Sequence, residues 1–290
     1  PTIVSMLITS FYNMADTFFI AKLENTSATG AVGVAFSLMA IIQAVGFFFG
    51  QGSGNYISRE LGKKNVKGAE EMAATGFFSS FIAGLVILAA GLCFLRPLAR
   101  LLGSTDTILP YAVDYLRVIL IGAPYMCASL VLNNQLRFQS NAFFAMIGLT
   151  TGGVLNLVLD PLFIFGLDMG VTGAAFATIL SQFVSFVLLF IGVQRSDSLK
   201  IHFRNYKPNA HYLKNIINGG TPSLCRQGLN SVSTIVLNTV AKGYGDAAIA
   251  AISIVSRIMM FASSAVIGFG QGFQPVCGFN YGAHLYGRVK

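Results

Sequence analysis

Asp16 and Asp160 each interrupt a long apolar run, where a charge has to have a reason. If such runs cross a bilayer, a carboxylate near the helix centre costs about 2.5–3.5 kcal/mol on insertion scales, so it must face protein or water. Asp16 falls in Tyr12-Asn13-Met14-Ala15-Asp16-Thr17, and Thr9, Asn13 and Asp16 recur at helical spacing as one polar stripe. That stripe either lines a functional cavity or ends a span at the interface, with Lys22 close by. In Asn156-Leu157-Val158-Leu159-Asp160-Pro161 the amide and the carboxylate share a helix face. Pro161 has no N–H, so a carbonyl one turn back is released, which suits ion coordination or a bend. Side-chain and backbone oxygens of this kind are ligands for an alkali cation, with Asp160 and Asn156 its metal ligands if that cation is Na⁺. The same pair can instead hold a proton, because burial raises a carboxyl pKa toward neutrality. The structural alternative is a bend whose buried aspartate pairs with an arginine.

Further polar residues sit in otherwise apolar segments. Thr178, Ser181, Gln182 and Ser185 follow an i, i+3, i+4, i+7 pattern, and Asn133-Asn134-Gln135 end a run that contains Pro124. Asn13, Asn133, Asn134, Gln182 and Arg257 are candidates to line a cavity, although bonding between helices is the commoner use of polar residues of this kind. Arg226 and Arg257 either attract an anionic group or pair with an aspartate, and Arg226 has the option of reaching an interface. Gly46, Gly50 and Gly54 recur every four residues, and Gly268 and Gly272 repeat the spacing, which reads as a seam for close helix contact.

Other chemistries find no support. Gly50-Gln51-Gly52-Ser53-Gly54 has neither a preceding strand nor a Gly-Lys-Ser/Thr ending, so it is not a phosphate loop. The histidines (His202, His211, His284) fall in loops without metal spacing, and no serine or cysteine has a base nearby in sequence. Cys93, Cys127, Cys225 and Cys277 show no C-x-x-C spacing and read as unpaired thiols. The expectation is a protein that is not an enzyme and carries no cofactor beyond an ion.

The elements that must hold these residues follow from composition. The chain is 54% hydrophobic and 10% charged, with a mean hydropathy of +0.68. Soluble domains carry about 25% charged residues. Eight apolar segments are long enough to cross a bilayer, at about 1–21, 29–57, 70–95, 110–132, 141–165, 170–193, 216–241 and 247–277. They must be helices, since an open sheet leaves its backbone unsatisfied in lipid. The net charge of +8 does not point to nucleic acid, because the excess gathers in two short connections, Arg59–Lys67 and Arg195–Lys214. With Arg137 in the fourth connection, the even-numbered loops are the basic ones, which puts the N-terminus in the cytoplasm of a multi-pass inner- or plasma-membrane protein. The first apolar run has no basic n-region, so it is not a signal peptide, and the lack of an initiating methionine reads as a trimmed start.

The sequence also repeats. Shifted by 220 residues, Lys22 falls on Lys242, Met39 on Met259, Phe49-Gly50-Gln51-Gly52 on Phe269-Gly270-Gln271-Gly272, and Gly62 on Gly282. Nine of 41 ungapped positions are identical. Duplicated halves are the hallmark of secondary transporters. Six spans per repeat make the two copies parallel, related by an axis along the membrane normal. Two halves of this size need roughly 440 residues, so the expectation is a complete first lobe (1–215, with an inter-lobe loop) and two helices of a second (216–290).

With these motifs assembled, the sequence resembles the multidrug and toxic compound extrusion (MATE) family. The resemblance rests on Tyr12–Ile20, Gly50–Gly62, Asn134–Asn141, Asn156–Gly166, Gly173–Thr178 and Gly270–Gly282, in the family's order. It implies twelve helices in two six-helix lobes around a cleft that opens alternately to each side. It implies that Asp16, Asn156, Asp160 and Thr178 bind the coupling Na⁺ or H⁺, with Asn133 or Asn134 as less certain ligands. It implies small organic, often cationic substrates exported by a protein that works as a monomer in the lipid bilayer. A flippase for lipid or cell-wall intermediates, of the same superfamily, is the alternative; it would be expected to show a more basic cleft.

Overall fold

A computed structural model of the 290-residue chain describes residues 1–22, 26–196, 199–242 and 246–289, with side chains at 12, 13, 16, 17, 20, 21, 26–29 and much of 231–257 left aside. The described residues are helical, without a strand. In order they form α1 (Thr2–Ala21), α2 (Thr26–Gly62), α3 (Val66–Cys93), the short α4 (Leu95–Leu101), α5 (Leu109–Phe138), α6 (Ala142–Pro161) with a π-turn (Leu162–Gly166), and α7 (Gly170–Gln194). After a 3₁₀ turn (Phe203–Asn205) come α8 (Ala210–Lys242), α9 (Asp246–Gly282) and the single turn α10 (Tyr286–Val289).

The eight long helices coincide with the eight apolar segments. Five of them (Gly30–Gly62, Val66–Cys93, Leu109–Phe138, Ala142–Gly166 and Gly170–Gln194) are both long and apolar enough to span a membrane among the described residues. The shortest of the others, α1, has 20 residues, about 30 Å at 1.5 Å per residue. Apolar side chains such as Val86, Phe94, Val158 and Phe183 lie exposed on the outside, the arrangement that lipid demands of a bundle surface. The chain is a multi-pass membrane protein.

The helices run further than the apolar segments, which corrects three expectations. Arg59 and Glu60 belong to the last turn of α2 and not to a loop. Arg137 belongs to the last turn of α5, with its side chain only 5% exposed. His211 sits in the first turn of α8, where its ring approaches the Tyr56 hydroxyl at 3.3 Å. In each case backbone hydrogen bonding continues past the hydrophobic run, because helix propensity does not end where lipid does.

Local chemistry then ends and restarts the helices. Glu60 accepts from Lys63 Nζ at 2.8 Å and from Asn65 Nδ2 at 2.6 Å. Asn65 Oδ1 in turn accepts from the Gly68 N–H at 3.2 Å, capping α3. Between them Lys64 takes a left-handed φ of 62° to make the turn. Further on, the start of α8 and the segment before it are strapped to α3: Lys207 Nζ and the Tyr212 hydroxyl each donate to Glu71 at 2.7 Å. Burial, and then that bond to a carboxylate, push the Tyr212 phenol above its ordinary pKa.

α5 is the central post, packed by α2, α3, α6 and α7. Gly46, Gly50 and Gly54 of α2 lie against Leu130, Asn134 and Phe138 of α5 in constant register, so the two helices run parallel. Gly84 of α3 meets the backbone at Pro124 on another side of α5. The apolar core has two storeys along this post, one around Leu38, Tyr115 and Ile119 and the other around Met72, Leu132 and Leu189.

The repeat is visible in the packing. α2 lies against α8, and its counterpart α9 lies against α1, so each copy's second helix packs on the other copy's first. Where α2 and α9 meet, a Cβ on Gly62 would strike the Phe279 carbonyl oxygen, and a Cβ on Gly282 would strike that of Arg59. Gly62 and Gly282 are counterparts under the 220-residue shift, and so are Arg59 and Phe279. The pseudo-two-fold axis passes through this seam.

Candidate ion-binding site

α6 presents its buried face through Ala145, Gly148, Gly152, Gly153, Asn156 and Asp160. The glycines set how deeply α7 can approach: Gly148 faces Leu189, and Gly152 faces Ser185 and the Ser181 carbonyl. Each turn up α6 matches one turn down α7, so the pair is antiparallel. One turn beyond Gly152, Asn156 reaches the level of Ser181, and Asp160 that of Thr178. Ser185 Oγ donates to the Gly148 carbonyl at 2.9 Å and fixes the register. α1, which carries Asn13 and Asp16, packs against α6 from another side.

The side chains at this level are buried: Asn156 is 4% exposed, Asp160 0% and Thr178 8%. Asn156 Nδ2 donates to Asp160 Oδ1 at 3.2 Å. That bond orients the amide so that its own oxygen remains as an acceptor. Thr178 Oγ1 donates its proton to the Ala174 carbonyl at 2.9 Å, which leaves the hydroxyl oxygen able to accept or to coordinate. Just past Asp160 the helix widens: the Leu167 N–H reaches back five residues to Leu162 O at 2.9 Å. π-turns of this kind recur at functional sites, and here one directly follows Pro161, which cannot donate. A carboxylate, an amide oxygen and a hydroxyl oxygen are the hard donors that suit Na⁺, and the same carboxylate suits a proton. The donor set of the described residues therefore suits either Na⁺ or a proton.

The remaining candidates divide. Asp16, Asn13 and Arg257 fall among positions whose side chains lie outside the described residues. Gln182 is half-buried on the polar stripe of α7. Asn133 and Asn134 are set into helix packing. Asn133 Nδ2 donates to the Ala145 carbonyl of α6 at 2.9 Å. Asn134 is fully buried, and its Oδ1 accepts from Gln51 Nε2 at 3.0 Å and from Arg137 Nη2 at 2.5 Å. Sequence reasoning did not single out Gln51 and Gln271 beyond their place in the repeat, nor the buried Arg137 between them; the shared Phe-Gly-Gln-Gly motif was the available signal.

Two clefts of about 510 and 410 Å³ open between α2, α8 and α9, lined by amides such as Asn55, Asn218 and Gln274 and by Arg59 and Arg226. On the first copy, Asn134 of α5 fills the space over Gly50, whereas its counterpart Gly270, which lines the smaller cleft, has nothing within 4 Å. A third, apolar cleft of about 350 Å³ lies between α5, the π-turn and α7, lined by Tyr125, Phe163, Phe176 and Phe183, away from Asp160.

Known proteins of the same shape and sequence pattern exist. The MatE family profile matches residues 1–162 and 222–290. The multidrug export protein MepA of Staphylococcus aureus (strain MSSA476) is 30% identical over the whole chain, which spans 64% of that relative's length. A transporter of the MOP superfamily from Pyrococcus furiosus, whose reversed pocket polarity is reported to suggest a different function, superposes with a TM-score of 0.91 at 31% identity, covering 100% of this chain and 64% of its own. A MATE structure in complex with MaD3S superposes with a TM-score of 0.94, also at 31% identity, with 100% and 66% covered. With the eight long helices and the ordered motifs, these matches place the chain in the MatE family, the multidrug and toxic compound extrusion transporters.

Proposed function

We propose that this sequence supplies the ion-coupling lobe, and the first two helices of the opposite lobe, of a secondary active multidrug exporter. It exchanges organic, mostly cationic compounds for Na⁺ or H⁺ by alternating access. The observation that carries this reading is the buried Asn156–Asp160 pair on α6, level with Thr178 and flanked by α1. The multidrug export name of the S. aureus relative supports the substrate class. The first lobe covers 1–215 and the second begins at 216. The basic connections support a cytoplasmic N-terminus in the cell's inner or plasma membrane. The protein is a transporter and not an enzyme, acts as a monomer, and has small organic molecules and the bilayer as its partners.

In mechanism, Asp160 and Asn156 hold the ion with Thr178, and Asp16 joins them from α1. Ion entry from outside neutralises the carboxylates and removes the cost of burying them in a dry interface. α1 then repacks on α6 and α7, and the drug leaves outward. The ion drives the cycle only because it favours one state; equal affinity for both would shift nothing.

The test is efflux of a fluorescent organic cation from proteoliposomes holding the intact protein, under an imposed Na⁺ or H⁺ gradient. Asp160→Asn is expected to cut gradient-driven efflux by about tenfold or more, in line with coupling energies of 1–3 kcal/mol. The effective gradient names the ion. Efflux untouched by the substitution would overturn this site, and no efflux under either gradient would overturn the exporter reading.

A further inference from the structure

At the end of the bundle where α2 and α9 cross, the guanidinium of Arg137 is buried between the two copies of the repeat. Its Nη2 donates to Asn134 Oδ1 on its own helix and its Nη1 to Gln271 Oε1 on α9. Asn134 Oδ1 is also the acceptor for Gln51 of α2. Gln51 and Gln271 are counterparts under the repeat, so one Asn–Arg pair on α5 engages both copies of the same glutamine. Among the described residues no carboxylate pairs with Arg137, and its Nε is buried without a hydrogen-bond partner. A guanidinium does not deprotonate in proteins. This one therefore stays charged although buried, held by two amide oxygens, one from each copy of the repeat, beside the 410 Å³ cleft that Gln51 and Gln271 line.

We propose that Arg137 and Gln271 form the latch that holds this end of the transporter closed, and that the latch must part each time the lobes open here. The inference rests on the alternating-access reading. Three observations carry it. The contact is the charged hydrogen bond that joins α5 to α9, and so crosses between repeats. It lies beside the α2–α9 seam, where Gly62 and Gly282 leave no room for a side chain and Ser58 is fully buried under Gly278. Among the described residues the charge has no carboxylate partner in the closed state, so water entering an open seam hydrates it well. A buried ion pair would lock the lobes; a guanidinium on amides holds them reversibly. Arg137 is on this account a positioning residue for the closed state and touches no substrate.

The test reads closure directly in the intact protein, without its native cysteines, carrying Ser58→Cys as a reporter for maleimide. Arg137→Met strands the buried Gln271 oxygen, while Asn134 Oδ1 keeps Gln51 as its donor, and Gln271→Leu leaves the guanidinium with Asn134 alone. Each is expected to speed labelling of the reporter by about tenfold or more, the size of a lost hydrogen bond to a buried charge. Combined, the two leave apolar groups on both sides, so the double variant is expected to label more slowly than either single. Arg137→Lys keeps the charge and is expected to fall between wild type and Arg137→Met. If a single variant elutes as aggregate, the Lys variant and the other single carry the comparison. Unchanged labelling in the folded singles, or strictly additive effects in the double, would overturn the latch. Because the readout is accessibility, absence of gradient-driven efflux in the wild type would sink the exporter reading while leaving the latch to stand or fall on its own data.

Discussion

Thr178 gives its hydroxyl proton to the Ala174 carbonyl, and that one bond fixes how the residue can serve. Its oxygen is left with lone pairs at the level of Asp160, whereas its methyl group adds only packing. Thr178→Val removes the oxygen at nearly constant shape, and Thr178→Ser keeps it. Under the ion-binding reading, Val weakens the apparent affinity for the coupling ion by about tenfold or more, and Ser leaves it within a few-fold. Ion-dependence curves of transport decide this; equal losses in Val and Ser would mean the methyl group mattered and not the oxygen. Glu60 is a contrasting residue, a buried carboxylate whose work is structural. Its side chain is 8% exposed, and it anchors both Lys63 and the Asn65 cap of α3. Glu60→Ala removes the acceptor that holds Lys63 and the Asn65 amide in an exposed turn, at about 0.5–1.5 kcal/mol. The apparent melting temperature of the detergent-solubilised protein is expected to fall, with coupling-ion affinity in the surviving fraction unchanged.

At the scale of elements, the glycine seam on α2 decides where α5 sits, and with it the helices α3, α6 and α7 that pack on α5. Gly54 faces the Phe138 ring so closely that no added side chain fits, while Gly33, on the same helix, has nothing within 4 Å. Gly54→Leu is expected to destabilise by about 1–3 kcal/mol or more through overpacking. Gly33→Ala is expected to be neutral or to stabilise by up to about 1 kcal/mol through helix propensity alone. Thermal scans of the two variants side by side separate packing from propensity. The eight helices themselves were legible in the sequence, because hydropathy over a span-length window is a direct image of the bilayer. Their last turns were not. Arg59 and Arg137 look like loop charges to a hydropathy reading, and only the protein-filled space around Arg137 makes its burial possible. The Asn156–Asp160 pair was legible from its i, i+4 spacing, and the hydrogen bond between them followed. The positions of Asn133 and Asn134 were not, since polar residues that line a cavity and those that join helices have the same spacing, and only the neighbours tell them apart.

At the scale of the molecule, an internal shift of 220 residues read from nine identities became a contact symmetry. What sequence comparison could not say was which helices of the two copies would touch, because the repeat relates the copies without docking them. The docking is reciprocal: Gly62 against the Phe279 carbonyl and Gly282 against that of Arg59, two views of one crossing. Reciprocity makes a sharp demand. A valine at either glycine drives the same two backbones apart by a similar distance, so Gly62→Val and Gly282→Val must act alike although they lie 220 residues apart. Each is expected to raise labelling of a cysteine at Ser58, and by factors that agree within about threefold, or roughly 0.7 kcal/mol. Once one valine has parted the helices, the second meets open space. The double variant is accordingly expected to add much less than the sum of the singles, as residues sharing one contact do. Site-specific maleimide labelling of the four proteins measures both. If Gly62→Val opened the seam and Gly282→Val left it shut, the two glycines would not share a crossing, and the pseudo-two-fold would not run between α2 and α9. Additive effects would carry the same consequence by another route, since two independent contacts cannot lie on one axis.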